Sequence, residues 1–426
     1  MKNSDIEAEF HGKHYRKQSP QTIALDVAEN ILLLSELEDL FIEPSIVLTR
    51  EDLNYPHNSI GDPTVRGAIA ELLSETWRLD ARCALAAENV LCTPGATAAL
   101  YFHAKVRLQP GDTVIVPAPY WQMFDRIYRE LGISLVGLPI AVGADTAVGL
   151  ASLKELYATL QANGQRPKML LLTNPHNPLG IVESKSAMQS VYGWALEETD
   201  MDIVSDEIYA HSIYDANSQF TSALSLEVAL AHPERVHVVW GLAKDFGLSG
   251  WMVGVLLTRS AELHETITKN HARFAPFDGL KNRIVKRLFC ERQGEKTALA
   301  LLQKLPGRMA MAQKLVGQAL DREGISYATN AAGAPFFWLD LRTHLDDDLV
   351  HKPHPADCIL DYPQLAGFDT REGRLQKFLA CGGGLVLLRG QTMHAQEPGF
   401  FRLCFTAESS AEICSAIERM GAALRA

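Results

Sequence analysis

Through the middle of the sequence the chain repeats one pattern: a short apolar run, a stretch of helix length, then another apolar run. The runs include "ENVLCT", "DTVIVPAP", "ISLVGLPI", "KMLLLT", "DIVS", "RVHVVW" and "MVGVLL". Amphipathic segments such as "ASLKELYATLQANG" and "AMQSVYGWALEE" lie between them. Strands separated by helices bury both faces in a mostly parallel sheet with helices on either side. Such a sheet binds ligands beyond the carboxyl ends of its strands. "PGATAAL", "NPHNPLG", "DEIYA" and "GLAK" each follow an apolar run, so these four segments are expected to converge. The stretch "GLAKDFGLSGWMVG" (241–254) reads as strand, tight turn, strand.

Past residue 309 the pattern changes. "MAQKLVGQALDREG" is helical, "PFFWLDLR" and "FFRLCF" read as strands, and "AEICSAIERMGAALR" closes the chain as a helix. The expected organisation is an α/β fold. Residues 46–309 form a large domain around the parallel sheet, and 310–426 form a smaller α+β domain. Residues 1–45 are an N-terminal segment packing with the small domain, and the polar, turn-rich stretch 343–373 is an insertion.

Composition narrows the function classes. A net charge of −11 without a basic run argues against nucleic acid as a partner. No apolar stretch reaches the roughly 18 residues of a membrane span. The seven cysteines are scattered without metal-ligand spacing, which reads as reduced thiols in a cytoplasmic protein, and no metal site is expected.

The converging segments carry unlike chemistries, each with a structural alternative. "TPGATAAL" puts small residues at a strand-to-helix turn, where backbone N–H groups suit a phosphate; helix starts are also small for packing reasons. Two Asn-Pro steps in "NPHNPLG" fix a non-helical turn that can aim an amide into a cleft, or that is structural only. Asp206 ends an apolar strand, where a carboxylate needs a cationic partner unless it is a surface acid. Lys244 is either a snorkelling strand-end lysine or a reactive amine, and Arg402 on an apolar strand is either a structural ion pair or a carboxylate clamp. Taken together, a phosphate cup, an amide, an acid, a phenol, a lysine and an arginine make the set that pyridoxal 5′-phosphate requires.

With those residues assembled, the chain resembles the fold-type I pyridoxal phosphate enzymes of the aminotransferase class, and most closely the 1-aminocyclopropane-1-carboxylate synthases. The likeness runs through "VAENIL", "PGDTVIVPAPYWQMFDR", "NPHNPLG", "SDEIYA", "RVHVVWGLAKDFGLSGWMVG" and "QEPGFFRLCF". The resemblance implies that Lys244 is the Schiff-base lysine and Cα base, and that Asp206 pairs with the pyridine nitrogen. It implies that Asn177 and Tyr209 bond the phenolic oxygen, Ala96 and Thr97 the phosphate, and that Trp121 stacks on the ring. Arg402 would clamp the substrate carboxylate, with Glu29, Tyr55 and Arg126 completing the substrate site. The implied substrate is S-adenosylmethionine, losing methylthioadenosine after Cα deprotonation, with ring closure, β,γ-elimination or coupling of Cγ to a second substrate. An amino acid/2-oxo acid aminotransferase and a non-catalytic descendant are the alternatives, and the resemblance also implies a homodimer.

Departures from that family pattern fall at the phosphate. Gly241 and Met252 stand where a serine and an arginine usually hold it, and Asp278 and Gly279 replace a serine-bearing segment. Lys281, Arg283 and His57 are candidate replacement cations.

Overall fold

The computed structural model describes residues 23–42, 48–54, 56, 58–141, 143–291, 297–346 and 370–425. The described residues form thirteen strands, β1 to β13 in chain order. β1 (Ile23–Ala24) precedes the large sheet, which contains β2 (Val90–Thr93), β3 (Asp112–Ala118), β4 (Ser134–Pro139), β5 (Arg166–Thr173), β6 (Asp202–Asp206), β7 (Val236–Gly241) and β8 (Gly254–Thr258). Their spatial order is β2-β8-β7-β6-β5-β3-β4. All the pairings from β7 to β4 are parallel, and β8 alone runs antiparallel to both its neighbours. Every residue of β3, β6, β7 and β8 is buried, as expected where helices cover both faces.

A smaller antiparallel sheet contains β9 (Ser326–Tyr327), β10 (Phe336–Asp340), β12 (Leu388–Arg389) and β13 (Phe400–Cys404), in the order β12-β13-β10-β9. It packs with the long helix Ala298–Glu323 and the closing helix Ser410–Arg425. β1 pairs in parallel with β11 (Leu385–Val386), and Leu25 then accepts from the Cys404 N–H. The N-terminal strap therefore runs along the small sheet before residues 26–30 reach the carboxyl end of the large one. Most of the expected insertion 343–373 lies outside the described residues, and its last residues open the helix Arg371–Gly383. No helix among the described residues is long and apolar enough to cross a membrane.

Two sequence expectations need correction. The stretch 241–254 is not a tight hairpin: β7 gives way to a helical turn, Leu242–Asp245, then a 3-10 turn, Ser249–Trp251, before β8 returns. Four residues are too few for helical periodicity to register. Nor are all the cysteines reduced. Cys83, Cys92, Cys290, Cys404 and Cys414 are free thiols, but Cys381 is disulfide-bonded, to a partner outside the described residues.

Candidate active site

The strand ends converge as the alternation pattern requires. β2 leads into Gly95 and the helix Ala96–Arg107. β3 leads to Trp121, β5 to the Asn174–Pro178 turn, β6 to Asp206 and Tyr209, and β7 to Lys244. Both Asn174–Pro175 and Asn177–Pro178 are cis.

Lys244 is half-buried and donates from Nζ to the Ala28 carbonyl at 2.7 Å. Loss of hydration pushes its pKa down; the Glu29 carboxylate opposes that shift and the Arg402 guanidinium adds to it. The N-terminal strap is bolted to this loop. Asn30 Nδ2 donates to the Lys244 carbonyl at 2.9 Å, and Ser249 Oγ donates to Glu29 Oε2 at 2.7 Å. Gly247 lies so close beneath the strap, at a φ of +72°, that a Cβ would fall 1.9 Å from the Asn30 carbonyl oxygen.

Behind Lys244 lies a polar network that the sequence reading missed. The buried Asp245 carboxylate accepts from Ser212 Oγ at 2.8 Å and Trp240 Nε1 at 3.1 Å. It also contacts His211 Nδ1 at 2.8 Å, while His211 Nε2 lies 2.9 Å from Thr76 Oγ1. These contacts fix the backbone that presents Lys244. An acid directly following the lysine was the available signal.

Asp206 is buried, and its pKa is raised to about 7 by burial, opposed by the Ile208 N–H and by Lys244. Its Oδ1 has no hydrogen-bond partner among the described residues. A buried acceptor left open is costly, so this oxygen is set to receive a donor from a ligand. Arg402, on β13, is also buried. Its Nη1 donates to Asn177 Oδ1 at 2.9 Å, its Nη2 to the Asp26 carbonyl at 2.5 Å, and its carbon lies 4.4 Å from the Phe336 ring centre. With Oδ1 of Asn177 engaged, the amide keeps its NH2 as the group to donate. Tyr209 is buried edge-on to Phe336, at 5.4 Å between ring centres, and burial holds its phenol neutral.

At the helix start, Gly95 has a φ of +89° and supplies no side-chain cap, so the first-turn N–H groups of Ala96 and Thr97 are offered to a ligand. The backbone of β8 crosses this turn closely: a Cβ on Gly254 would fall 2.2 Å from the Gly95 carbonyl carbon. Met252 sits at the same place in the left-handed region (φ 51°), with its methyl 3.1 Å from where a Gly95 Cβ would be. A side chain at 241 is excluded in this backbone, because its Cβ would lie 2.7 Å from the Val253 carbonyl oxygen. Of the suggested replacement cations, Lys281 pairs with Asp278 at 2.5 Å and Arg283 with Glu291 at 2.9 Å.

Lys244, Asp206, Tyr209, Asn177, Arg402, Glu29, Ala96 and Thr97 thus sit at one end of the sheet. Trp121 is half-buried, edge-on to Phe124 at 5.4 Å. Arg126 is exposed on the helix Met123–Arg129, whose buried residues are Met123, Phe124, Ile127 and Tyr128. That phase was readable in "MFDRIYR". Tyr55 and His57 lie outside the described residues.

The fold, the converging strand ends and the open Asp206 oxygen define a cofactor-dependent α/β enzyme scaffold, and comparison gives the family. Residues 26–420 match the model of the aminotransferase class I and II family, and the chain belongs to it. It is 28% identical to 1-aminocyclopropane-1-carboxylate synthase 3 of rice (Oryza sativa subsp. japonica), over 78% of this chain and 72% of that one. It is 27% identical to 1-aminocyclopropane-1-carboxylate synthase 2 of tomato (Solanum lycopersicum), over 96% and 81%. A human relative, 26% identical over 93% of this chain and 66% of its own, bears the name "probable inactive 1-aminocyclopropane-1-carboxylate synthase-like protein 2". Among solved structures, a double mutant of Thermus thermophilus aspartate aminotransferase superposes with a TM-score of 0.72 at 20% identity, covering 99% of this chain and 97% of that one.

The cofactor of this family is pyridoxal 5′-phosphate, and the residues present fit it. The open Asp206 oxygen suits a protonated ring nitrogen, the uncapped helix start suits the phosphate, and Lys244 offers an amine.

Proposed function

We propose that the protein acts on the amino acid portion of S-adenosylmethionine and releases methylthioadenosine. The observation that carries this reading is the Glu29 carboxylate, held by Ser249 and close enough to Lys244 to oppose the lowering of its pKa by burial. A fixed anion beside the catalytic amine suits a substrate with a positive charge on its side chain, and a sulfonium at Cγ is such a charge. It repels the side-chain carboxylate of an acidic amino acid, the ordinary cargo of an aspartate aminotransferase.

Pyridoxal 5′-phosphate supplies an aldehyde that joins the substrate amine and a ring that accepts the electron pair left at Cα. The protein's groups do the rest. Arg402 holds the substrate carboxylate, with Asn177 and the Asp26 carbonyl fixing the guanidinium plane. Lys244, its pKa lowered by burial, takes the Cα proton as a neutral amine. With the cofactor bound, Asp206 as a carboxylate would hold the ring nitrogen protonated, and Asn177 and Tyr209 would be the donors for its phenolic oxygen. Departure of methylthioadenosine breaks the Cγ–S bond, and the pair goes to sulfur, which leaves neutral without a proton. Cγ takes the compensating pair from Cα in ring closure, from a Cβ–H bond that loses its proton in elimination, or from a nucleophile of a second substrate in coupling. Met252 in place of a phosphate cation makes the phosphate end of the cleft less polar, which favours a coupling reaction to a second substrate.

A homodimer in the cytoplasm completes this reading. Leu53 is 75% exposed and Phe274 90% exposed, and with Leu280 they put apolar surface on the segments flanking the site, as an interface would. Five free thiols suit a reducing compartment, and the Cys381 disulfide weighs against one.

Mixing cofactor-loaded protein with S-adenosylmethionine and separating the products tests the assignment. Methylthioadenosine is the expected product. Its absence, with conversion of the cofactor to pyridoxamine phosphate by common amino acids, would mean an aminotransferase. No cofactor absorbance band would mean a non-catalytic descendant.

A further inference from the structure

The end of the sheet opposite the cofactor cleft holds a second group of ligand-type side chains. His103 lies inside the helix Ala96–Arg107, His237 on β7 and Asp202 at the start of β6, and all three are buried. Their nearest ligand atoms lie within 4.8 Å of one another, and the two imidazole rings are 4.6 Å apart at 54°. Both ring nitrogens of His103 and Nε2 of His237 have no hydrogen-bond partner among the described residues. Three open nitrogens at zero exposure are more than a packed core tolerates without a ligand or a water.

The surroundings prepare these groups for a cation. His237 Nδ1 lies 2.9 Å from Thr258 Oγ1. The tautomer that donates from Nδ1 leaves a bare lone pair at Nε2, and it is favoured because a buried unpaired donor is the costlier alternative. Burial also holds both imidazoles neutral, which is the ligating form. Arg107 grips Asp202 with a fork of 2.6 and 3.0 Å, orienting the carboxylate and leaving each oxygen one further lone pair. A cleft of about 380 Å³, lined by Arg107, Asp112, Arg166, Lys168, Asp200 and Asp202, opens from the surface onto that carboxylate.

We propose that His103, His237 and Asp202 form a binding site for a divalent transition-metal ion of the zinc class, with water in the fourth position. Tetrahedral zinc places such ligand atoms about 3.4 Å apart, so the three close by at most about 1.5 Å. Arg107 and Arg235 already offset the Asp202 charge, so affinity comes from imidazole lone pairs. That chemistry selects zinc, cobalt or nickel and rejects magnesium and calcium. His103 is two helical turns, about 10 Å, below Ala96. The ion therefore ties the helix of the phosphate cup to β6 and β7 at its far end.

The test is a titration of chelator-treated holoenzyme with Zn2+ against a chromophoric chelator, for wild type and for the double variant H103Q/H237Q. The expected result is one equivalent bound by wild type, at least tenfold weaker binding by the variant, and no competition from Mg2+ or Ca2+. Zn2+ should also raise the unfolding midpoint of wild type alone. Equal uptake by both proteins, or none by wild type, overturns the proposal. Anomalous diffraction at the zinc edge from Zn2+-soaked wild-type crystals decides the matter independently if the variant fails to fold. A peak between the three side chains supports the site, and its absence there overturns it.

Discussion

The open carboxylate of Asp206 makes a quantitative prediction about the cofactor-free protein. An acid whose pKa is raised on folding stabilises the fold while it is protonated, and this contribution disappears as pH rises through the folded value. With a folded value of about 7 and a reference of 3.8, the full contribution is present below about pH 4 and gone above about pH 8. At pH 5.5 the ratio of binding terms is about 32, or about 2 kcal/mol, and at pH 8 it is close to zero. Asp206→Asn removes the ionisation and keeps the shape. Denaturant unfolding of apo wild type and apo variant at both pH values reads the effect of Asp206 together with its repulsion of the neighbouring Glu207, whose pKa, raised to about 8 mainly by burial, keeps most of its shift in both proteins. Wild type should lose about 2 kcal/mol relative to the variant between pH 5.5 and 8. Added pyridoxal phosphate should abolish that loss, since a protonated ring nitrogen pairs with the carboxylate. A wild-type–variant difference that does not change with pH would refute the claim that the Asp206 oxygen waits for a ligand.

Three further substitutions probe the rest of the site. Met252→Arg places a guanidinium at the uncapped helix start from a 47%-exposed position, so cofactor dissociation measured by absorbance should slow by about 10- to 100-fold, as for an added charged hydrogen bond. Ser249→Ala removes one hydrogen bond from the Glu29 carboxylate, and the steady-state KM for S-adenosylmethionine should rise by about 3- to 10-fold with kcat nearly unchanged. Gly247→Ala forces a Cβ into the Asn30 carbonyl at a left-handed φ; denaturant unfolding should show a loss of at least about 3 kcal/mol, with the N-terminal strap more open to proteolysis.

How far the sequence revealed this architecture depended on what each feature rests upon. Parallel strands buried on both faces must be apolar throughout, so β3, β5, β6 and β7 were legible as runs, and the segments after them had to meet. Contacts across more than 200 residues left no local mark. The docking of Asn30 and Glu29 onto the Lys244 loop depends on the path of the N-terminal strap, and Gly241 facing Val253 depends on how β8 returns. Arg126 was assigned by likeness of motif, and the apolar spacing of its own helix accounts for its exposure. His103 and His237 each sit inside an apolar run, but only the fold brings their rings together.

Single-turnover mixing of the holoenzyme with S-adenosylmethionine labelled in the aminobutyrate unit reads the chemistry at Cγ itself. Methylthioadenosine in an amount equal to the active sites is expected, formed with loss of label from the substrate pool and prevented by Lys244→Ala. Intact S-adenosylmethionine after prolonged incubation with active, cofactor-loaded protein, alongside transamination of ordinary amino acids, would contradict it.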